Sequence, residues 1–233
     1  MASVVVGKRY RSLAEVLARV GDVPASRVLP YPAPGTATPE DAFDRKYVGD
    51  CGVEVVGGIL VEKTVGLRED MIGTRLIHLV GTYLDTNNIG AVSGAQGGYW
   101  FASDLMRMPD VSVIRWDSVE DTDEIEEPEE AFLRTPPDFV VEVLSPSNTA
   151  REMEIKLAEY AKAGVALVWY VDPDREEVDV FLKARAKGKV TLKAGDTLDG
   201  GSVLPGFTVP VAKLFEKRAT PKSKGGGEKP KKG

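Results

Sequence analysis

The stretch PDFVVEVLSPSNTAREMEIKLAEYAKAGVALVWYVDP, residues 137–173, holds the strongest structural signal in the chain. Apart from Glu142, residues 139–144 are apolar, mostly β-branched and bounded by proline- and serine-containing turns, which predicts a buried strand. A helix is predicted from about residue 149 to 163, and residues 167–171 form a second buried strand. This order predicts an α/β (α+β) fold with a mixed β-sheet flanked by helices.

Glu142 lies in the middle of the first apolar run. Burying an unpaired carboxylate costs several kcal/mol, so a glutamate there needs a metal ion, a cation or a hydrogen-bond network. Two interpretations remain open at this point. Glu142 is either a metal ligand or a structural residue paired with an arginine or lysine.

A metal ligand would need a second carboxylate nearby. Asp138 lies four residues away, which is roughly 13 Å along a strand at about 3.3 Å per residue. This is too far for one Mg²⁺ ion, whose ligands lie at about 2.0–2.1 Å. The partner must come from an adjacent strand, and the predicted strand at residues 109–116 offers Asp110. The predicted helix adds Lys156, so two strands and a helix carry three candidate residues.

Three other segments repeat the pattern of a known family: GVEVVGGILVEK (52–63), RMPDVSVIR (107–115) and GDTLDGGSVLPGFTVPVAKLF (195–215). Together with the central block they resemble the Uma-two family, a bacterial group with a restriction-endonuclease-like fold. The resemblance spans roughly residues 47–216. The central block is specific, whereas the first and last of the other segments are weak when taken singly.

The resemblance implies a nuclease core of the PD-(D/E)XK type. It maps the first acid onto Asp110 and the second onto Glu142, and it implies Lys156 as the catalytic lysine. In the wider superfamily the lysine lies two residues after the second acid, and here that position is Leu144. The carbonyl of Val143 would join the two acids in holding Mg²⁺ or Mn²⁺, because hard cations prefer oxygen ligands.

Glu54, on the first predicted strand, matches an acid of the family's opening hairpin. It is a candidate third acid near the metal, although an outward-facing charge on the hairpin is the preferred interpretation. The implied substrate is a phosphodiester, with DNA as the expected nucleic acid. Any sequence preference would come from loops or from pairing of two copies in a homodimer.

Composition describes a globular chain of 233 residues with 42% hydrophobic content. The single cysteine, Cys51, excludes an intrachain disulfide and a zinc cluster and suits the cytoplasm. The chain has no run of 18 apolar residues, so we expect no membrane span. The expected organisation is an N-terminal helix and proline-rich connector at 1–45, a restriction-endonuclease-like domain at 46–216, and a disordered basic tail at 217–233.

The charge distribution favours a competing function. The formal net charge is −6, and residues 117–130 hold nine acids in fourteen positions. Such a loop would repel nucleic-acid phosphates unless it points away from the site. The alternative to a nuclease is therefore a catalytically inactive binding or scaffolding module that keeps the same fold.

Overall fold

A computed structural model describes residues 8–64 and 66–217. Its centre is the predicted strand–helix–strand unit: β8 at Phe139–Val143, α5 at Ala150–Ala163 and β9 at Leu167–Asp172. The two strands are parallel, with Phe139 paired to Leu167 and Val143 to Val171. The Thr149 side chain caps α5 by accepting a hydrogen bond from the Glu152 N–H, and Gly164 ends the helix at φ +90°, a conformation that costs glycine little. The predicted order of elements is thus confirmed.

Four further strands complete a six-stranded sheet around this unit, in the order β11-β10-β9-β8-β6-β3. The sheet is mixed, because β8 and β9 are parallel while the other neighbours pair antiparallel. The added strands are β3 at Gly90–Gly94, β6 at Val111–Arg115, β10 at Glu177–Leu182 and β11 at Val190–Leu192.

Helices cover both faces of this sheet. The long helix α3, at Leu67–Asn87, packs on the face that carries Phe139 and Val141, in one cluster with Trp169. Because side chains alternate along a strand, Val140 points to the opposite face, which α5 covers. Glu142 follows Val140 by two residues and therefore lies on the α5 side of the sheet.

A second, five-stranded sheet has the order β2-β1-β5-β4-β7. The predicted hairpin is confirmed as β1, Val53–Val56, paired with β2, Leu60–Glu62. Its turn contains Gly58 at φ +70°, where a Cβ atom would lie 2.6 Å from the Gly35 carbonyl carbon. The remaining strands are β4 at Gly98–Ala102, β5 at Leu105–Arg107 and β7 at Phe132–Leu133.

The N-terminal segment packs more closely than its composition suggests. Helix α1, at Leu13–Arg19, is followed by turns and short 3-10 helices up to α2, at Arg45–Val48. Val23 is buried against the β1–β2 hairpin, and Ala37 and Ala42 are buried in the cluster beneath the second sheet. These anchors escape periodicity analysis because the segment winds in single turns rather than in a regular helix.

The acidic segment contains one short helix, α4, at Asp123–Glu126. The chain then closes with β12 at Thr197–Asp199, β13 at Thr208–Pro210 and α6 at Val211–Phe215. Among the described residues, no helix combines the length and apolar character needed to cross a membrane. The predicted basic tail lies outside the described residues from residue 218 onward.

Candidate functional site

The two predicted acids lie on adjacent strands of the larger sheet. Val111 of β6 pairs with Val141 of β8, so one residue further Asp110 lies opposite Glu142. The Asp110 Oδ2 atom accepts a hydrogen bond of 2.7 Å from the Val143 N–H, which ties the aspartate to the strand that carries the glutamate. Antiparallel neighbours of this kind have Cβ atoms about 4.5–5.5 Å apart, close enough for both carboxylates to reach one ion.

Helix α5 brings two side chains to Glu142, which is only 4% exposed. The Lys156 Nζ atom donates to both Glu142 oxygens at 3.2 and 3.1 Å. The Tyr160 hydroxyl donates to the Oε1 atom of the same carboxylate. Lys156 and Tyr160 are four residues apart, so they share one face of the helix.

Glu54 is also buried, at 1% exposure, and the expectation of an outward-facing charge is wrong. Strand β1 lies between β2 and β5 and is buried along its whole length, so it has no solvent-facing side. The Oε1 atom of Glu54 accepts bonds from the Lys156 Nζ at 3.2 Å and from the Met108 N–H at 3.1 Å. Its Oε2 atom accepts a 2.8 Å bond from Arg107.

Arg107 extends this contact into a continuous buried chain of charges. Its guanidinium also donates to the Glu159 Oε2 atom at 2.9 and 2.6 Å. Carboxylates and cations therefore alternate along a line from Glu159 through Arg107, Glu54 and Lys156 to Glu142. Arg107 is the last residue of strand β5, and Asp110 follows it by three residues. One short segment therefore supplies both a cation of this network and the Asp110 carboxylate.

Burial and neighbouring charges shift the pKa values of these charged side chains in opposite directions. Burial raises the pKa of Glu142, and the negative charges of Asp110 and Glu54 add to the rise while Lys156 opposes it. Burial would also raise the pKa of Glu54, but Lys156 and Arg107 outweigh it and hold that pKa below its usual range. Burial lowers the pKa of Lys156, but the two glutamates outweigh it and raise the value, so the amine is charged at neutral pH.

A second lysine, which the sequence did not single out, contacts the other acid. Lys63 follows the end of β2, and its side chain is 9% exposed. Its Nζ atom lies 2.8 Å from the Asp110 Oδ1 atom and donates a 2.6 Å hydrogen bond to the Met108 carbonyl. Each candidate acid thus has its own lysine in this structure.

The site also includes a contribution from the N-terminal segment. Arg27 is buried and donates to the Glu62 carbonyl at 2.8 Å and to both oxygens of Glu152 at 2.9 and 3.1 Å. Asn148 donates a further 3.0 Å bond to Glu152, at the start of α5. Arg27 therefore fastens β2 to the N-terminus of the helix that carries Lys156. This residue lies in the segment predicted to be a connector.

The candidate residues enclose a small cavity of about 20 Å³. A cavity needs roughly 10–15 Å³ to hold one water molecule, so the space suits a single water or ion. Its lining residues come from β8, α5, the N-terminal segment, and the residues just after β2, just before β6 and just before α5: Arg27, Lys63, Thr64, Asp110, Glu142, Val143, Asn148 and Lys156.

The donor set fits a hard divalent cation. No group of three or more histidine, cysteine, aspartate or glutamate side chains forms a metal cluster within residues 8–64 and 66–217. Asp110 and Glu142 nevertheless supply two carboxylates to one cavity, which Val143 also lines. Mg²⁺ is usually bound through one or two carboxylates and keeps several waters. The Glu142 Oε1 atom already accepts bonds from Lys156 and Tyr160, but its Oε2 atom and both Asp110 oxygens each have one partner and keep a lone pair for a ligand bond.

The acidic segment 117–130 begins at the opposite end of β6 from Asp110. Strand β6 spans roughly 17 Å at about 3.3 Å per residue, and none of the segment's residues lines the small cavity. Asp138 also belongs to that far end, where it accepts 2.8 Å bonds from the Arg115 N–H and the Ser118 hydroxyl. Both placements remove negative charge from the immediate surroundings of Glu142.

A mixed sheet flanked by helices, with acids on adjacent strands and a lysine on the helix between β8 and β9, defines a restriction-endonuclease-like protein. The chain belongs to the Uma2 family, described as "Putative restriction endonuclease", whose model matches residues 43–212. The resemblance found in the sequence is thereby confirmed. The match begins after Arg27, so the contact between Arg27 and Glu152 at the start of α5 involves a residue outside the region that the family model covers.

A solved structure has the same fold. It is the crystal structure of a protein from Anabaena variabilis described as a "putative nuclease belonging to DUF820". The two chains superpose with a TM-score of 0.62 at 17% sequence identity, over 75% of this chain and 96% of the other. No curated protein matches this chain.

Proposed function

We propose that this protein is a divalent-metal-dependent endonuclease that hydrolyses phosphodiester bonds, with DNA as its substrate. The observation that carries the proposal is the convergence of Asp110, Glu142 and Lys156 on one cavity sized for a single ion or water. Family membership supports the nuclease class. The metal and the nucleic acid are inferred from the chemistry of the donor set.

Asp110, Glu142 and the carbonyl oxygen of Val143 would hold Mg²⁺ or Mn²⁺ in this cavity. The bound cation would supply an activated water at neutral pH and stabilise the negative charge that develops on the phosphate. The Tyr160 hydroxyl fixes the orientation of the Glu142 carboxylate by donating to its Oε1 atom. The Oε2 atom contacts Lys156.

Lys156 is the residue that would act on the substrate. Its amine lines the cavity and is anchored from behind by Glu54. When Glu142 engages a cation, Lys156 keeps this anchor and can orient the attacking water or neutralise the scissile phosphate. In this assignment Glu54 serves as the counter-ion of Lys156 and Arg107 rather than as a metal ligand.

The energetics of burial favour a functional interpretation over a purely structural one. Replacing a buried ion pair with well-packed apolar residues is often neutral or stabilising, so stability alone gives weak grounds for a buried chain of five charged groups. A connected set of perturbed charges beside a cavity is, by contrast, typical of functional sites. The position of the acidic segment, away from the cavity, removes the main electrostatic objection.

The test compares wild-type protein with Glu142→Gln and with Glu177→Gln. The control removes a strand carboxylate that is also paired with a lysine, Lys193, but lies outside the site. Nicking of supercoiled plasmid with Mg²⁺ and Mn²⁺ is measured beside metal binding by calorimetry. We expect Glu142→Gln to lose nicking and to bind metal more weakly while its melting curve still shows a cooperative fold. The control should behave like wild type.

Equal nicking by wild type and Glu142→Gln would end the assignment of nuclease activity to this site. If wild-type protein neither binds divalent metal nor nicks the plasmid, the scaffolding alternative is favoured.

A further inference from the structure

Lys63 contacts the Asp110 carboxylate that we propose as a metal ligand. Its amine lies 2.8 Å from the Oδ1 atom, while the Oδ2 atom accepts the Val143 N–H. The lysine is largely buried, and the Met108 carbonyl holds the amine in place at 2.6 Å. This contact is therefore built into the fold and differs from an exposed ion pair that forms and breaks freely.

The same cavity wall carries Lys63, Asp110, Glu142 and Lys156. A divalent ion bound by the two acids would come within a few ångströms of the Lys63 ammonium, and charges of the same sign repel strongly at such distances in a partly buried site. The Lys63 ammonium thus opposes the binding of a metal ion at the Asp110 carboxylate.

We propose that Lys63 is a resident competitor for the divalent cation, which leaves the Asp110 carboxylate when metal binds and thereby sets the metal affinity of the site. The inference rests on the proposed function, since it concerns the same metal. It adds a role for a residue just after β2 that the PD-(D/E)XK mapping of Asp110, Glu142 and Lys156 does not include.

The competing explanation is that Lys63 only positions Asp110. The two roles predict opposite signs for one measurement. If Lys63 competes with the metal, its neutral replacement removes a repulsive charge and metal binds more tightly. If Lys63 only holds Asp110 in place, the same replacement lets the carboxylate swing away and metal binds more weakly.

The experiment is a Mn²⁺ titration without DNA, followed by calorimetry or by the spin-resonance signal of free Mn²⁺. It uses wild type, Lys63→Met and the matched control Lys189→Met, which removes another lysine paired with an aspartate, Asp179. We expect Lys63→Met to bind Mn²⁺ about tenfold more tightly or better, because one unit of repulsion is lost at close range. Lys189→Met should match wild type.

Melting curves provide a second readout that is independent of activity. In EDTA, Lys63→Met should melt below wild type, because Asp110 loses its cation. Added Mn²⁺ should then raise its melting temperature by more than it raises that of wild type, since at a given concentration a tighter ligand stabilises the fold more.

Tighter binding together with the larger metal-induced shift supports the proposal. Unchanged or weaker Mn²⁺ binding by Lys63→Met, in a wild type that binds metal through Glu142, overturns this inference and leaves the proposed function standing. If neither protein binds divalent metal, the proposed function and this inference fall together.

Discussion

Replacing Lys156 with methionine gives the sharpest stability test of the buried charge chain. Methionine keeps most of the side-chain length but removes an ammonium that donates to both Glu142 and Glu54. Glu54 would keep its bonds from Arg107 and the Met108 N–H. Glu142 would keep only the Tyr160 hydroxyl, so the cost of the substitution falls mainly on that carboxylate.

The expected magnitude follows from the burial of the pair. Lys156 and Glu142 are 3% and 4% exposed, and removing one partner of a buried ion pair typically costs about 3–5 kcal/mol. In a chain of this size, 1 kcal/mol corresponds to about 2–4 °C in melting temperature. Lys156→Met should therefore melt roughly 6–20 °C below wild type at neutral pH in EDTA.

The loss of stability in Lys156→Met should depend on pH with a defined sign. The pKa of Glu142 is already raised by burial and by its acidic neighbours, and Lys156 is the main opposing influence. Without the lysine that pKa rises further above the unfolded value of about 4.3. A carboxyl whose folded pKa is raised favours the fold at low pH and loses this contribution as pH rises through the folded pKa. The deficit should be larger at pH 8 than at pH 5.

Differential scanning calorimetry in EDTA at the two pH values measures both effects. The double variant Glu142→Gln/Lys156→Met serves as the control, because a neutral glutamine can still accept the Tyr160 hydroxyl and leaves no uncompensated charge on β8. It should recover most of the lost stability. A Lys156→Met protein that melts like wild type at pH 8, or a double variant as unstable as the single one, would refute the buried-pair argument. Metal binding should persist in Lys156→Met while plasmid nicking is lost.

Two further predictions concern residues that support the site. Arg27→Met should destabilise the protein by about 3–5 kcal/mol in urea denaturation, because Glu152 stays buried without its cation. The double variant Arg27→Met/Glu152→Met should recover much of this loss. A double variant as unstable as the single one would contradict the stabilising role of the Arg27–Glu152 pair. Tyr160→Phe should cost about 1–3 kcal/mol and weaken Mn²⁺ binding, because Glu142 loses the hydroxyl that orients it; unchanged Mn²⁺ affinity would contradict the orienting role.

The sequence alone could predict the strand of Glu142 and the helix of Lys156 because both segments have clear periodicity. Burying an acid inside a β-branched apolar run costs free energy, and that cost marks Glu142 as a candidate functional residue from the sequence alone. Asp110 required the family resemblance as well, since a Pro-Asp step at a strand start is common in turns. The structure places these three residues around one cavity.

Other parts of the site depend on packing between distant segments. Glu54 looked exposed because a short strand gives no sign of whether its second face is covered. Lys63, at a strand end, and Arg27, in a segment without periodicity, resemble ordinary surface cations. Tyr160 is a buried aromatic residue of α5 of the kind that usually only fills the core, but its hydroxyl contacts Glu142. Its spacing of four residues from Lys156 was the one available signal.

The formal charges around the cavity bear on how a protein with an acidic body could hold the phosphate of the proposed DNA substrate. Four carboxylates face four cations in the connected network: Glu54, Asp110, Glu142 and Glu159 against Arg19, Lys63, Arg107 and Lys156. Without metal these formal charges balance, so the network offers a phosphate no net attraction. A divalent ion adds two positive charges, which attract a phosphodiester. Phosphate attraction at this site is thus expected to depend on the metal and much less on the overall charge of the chain, because the acidic segment 117–130 begins at the far end of β6 and lies outside the cavity wall.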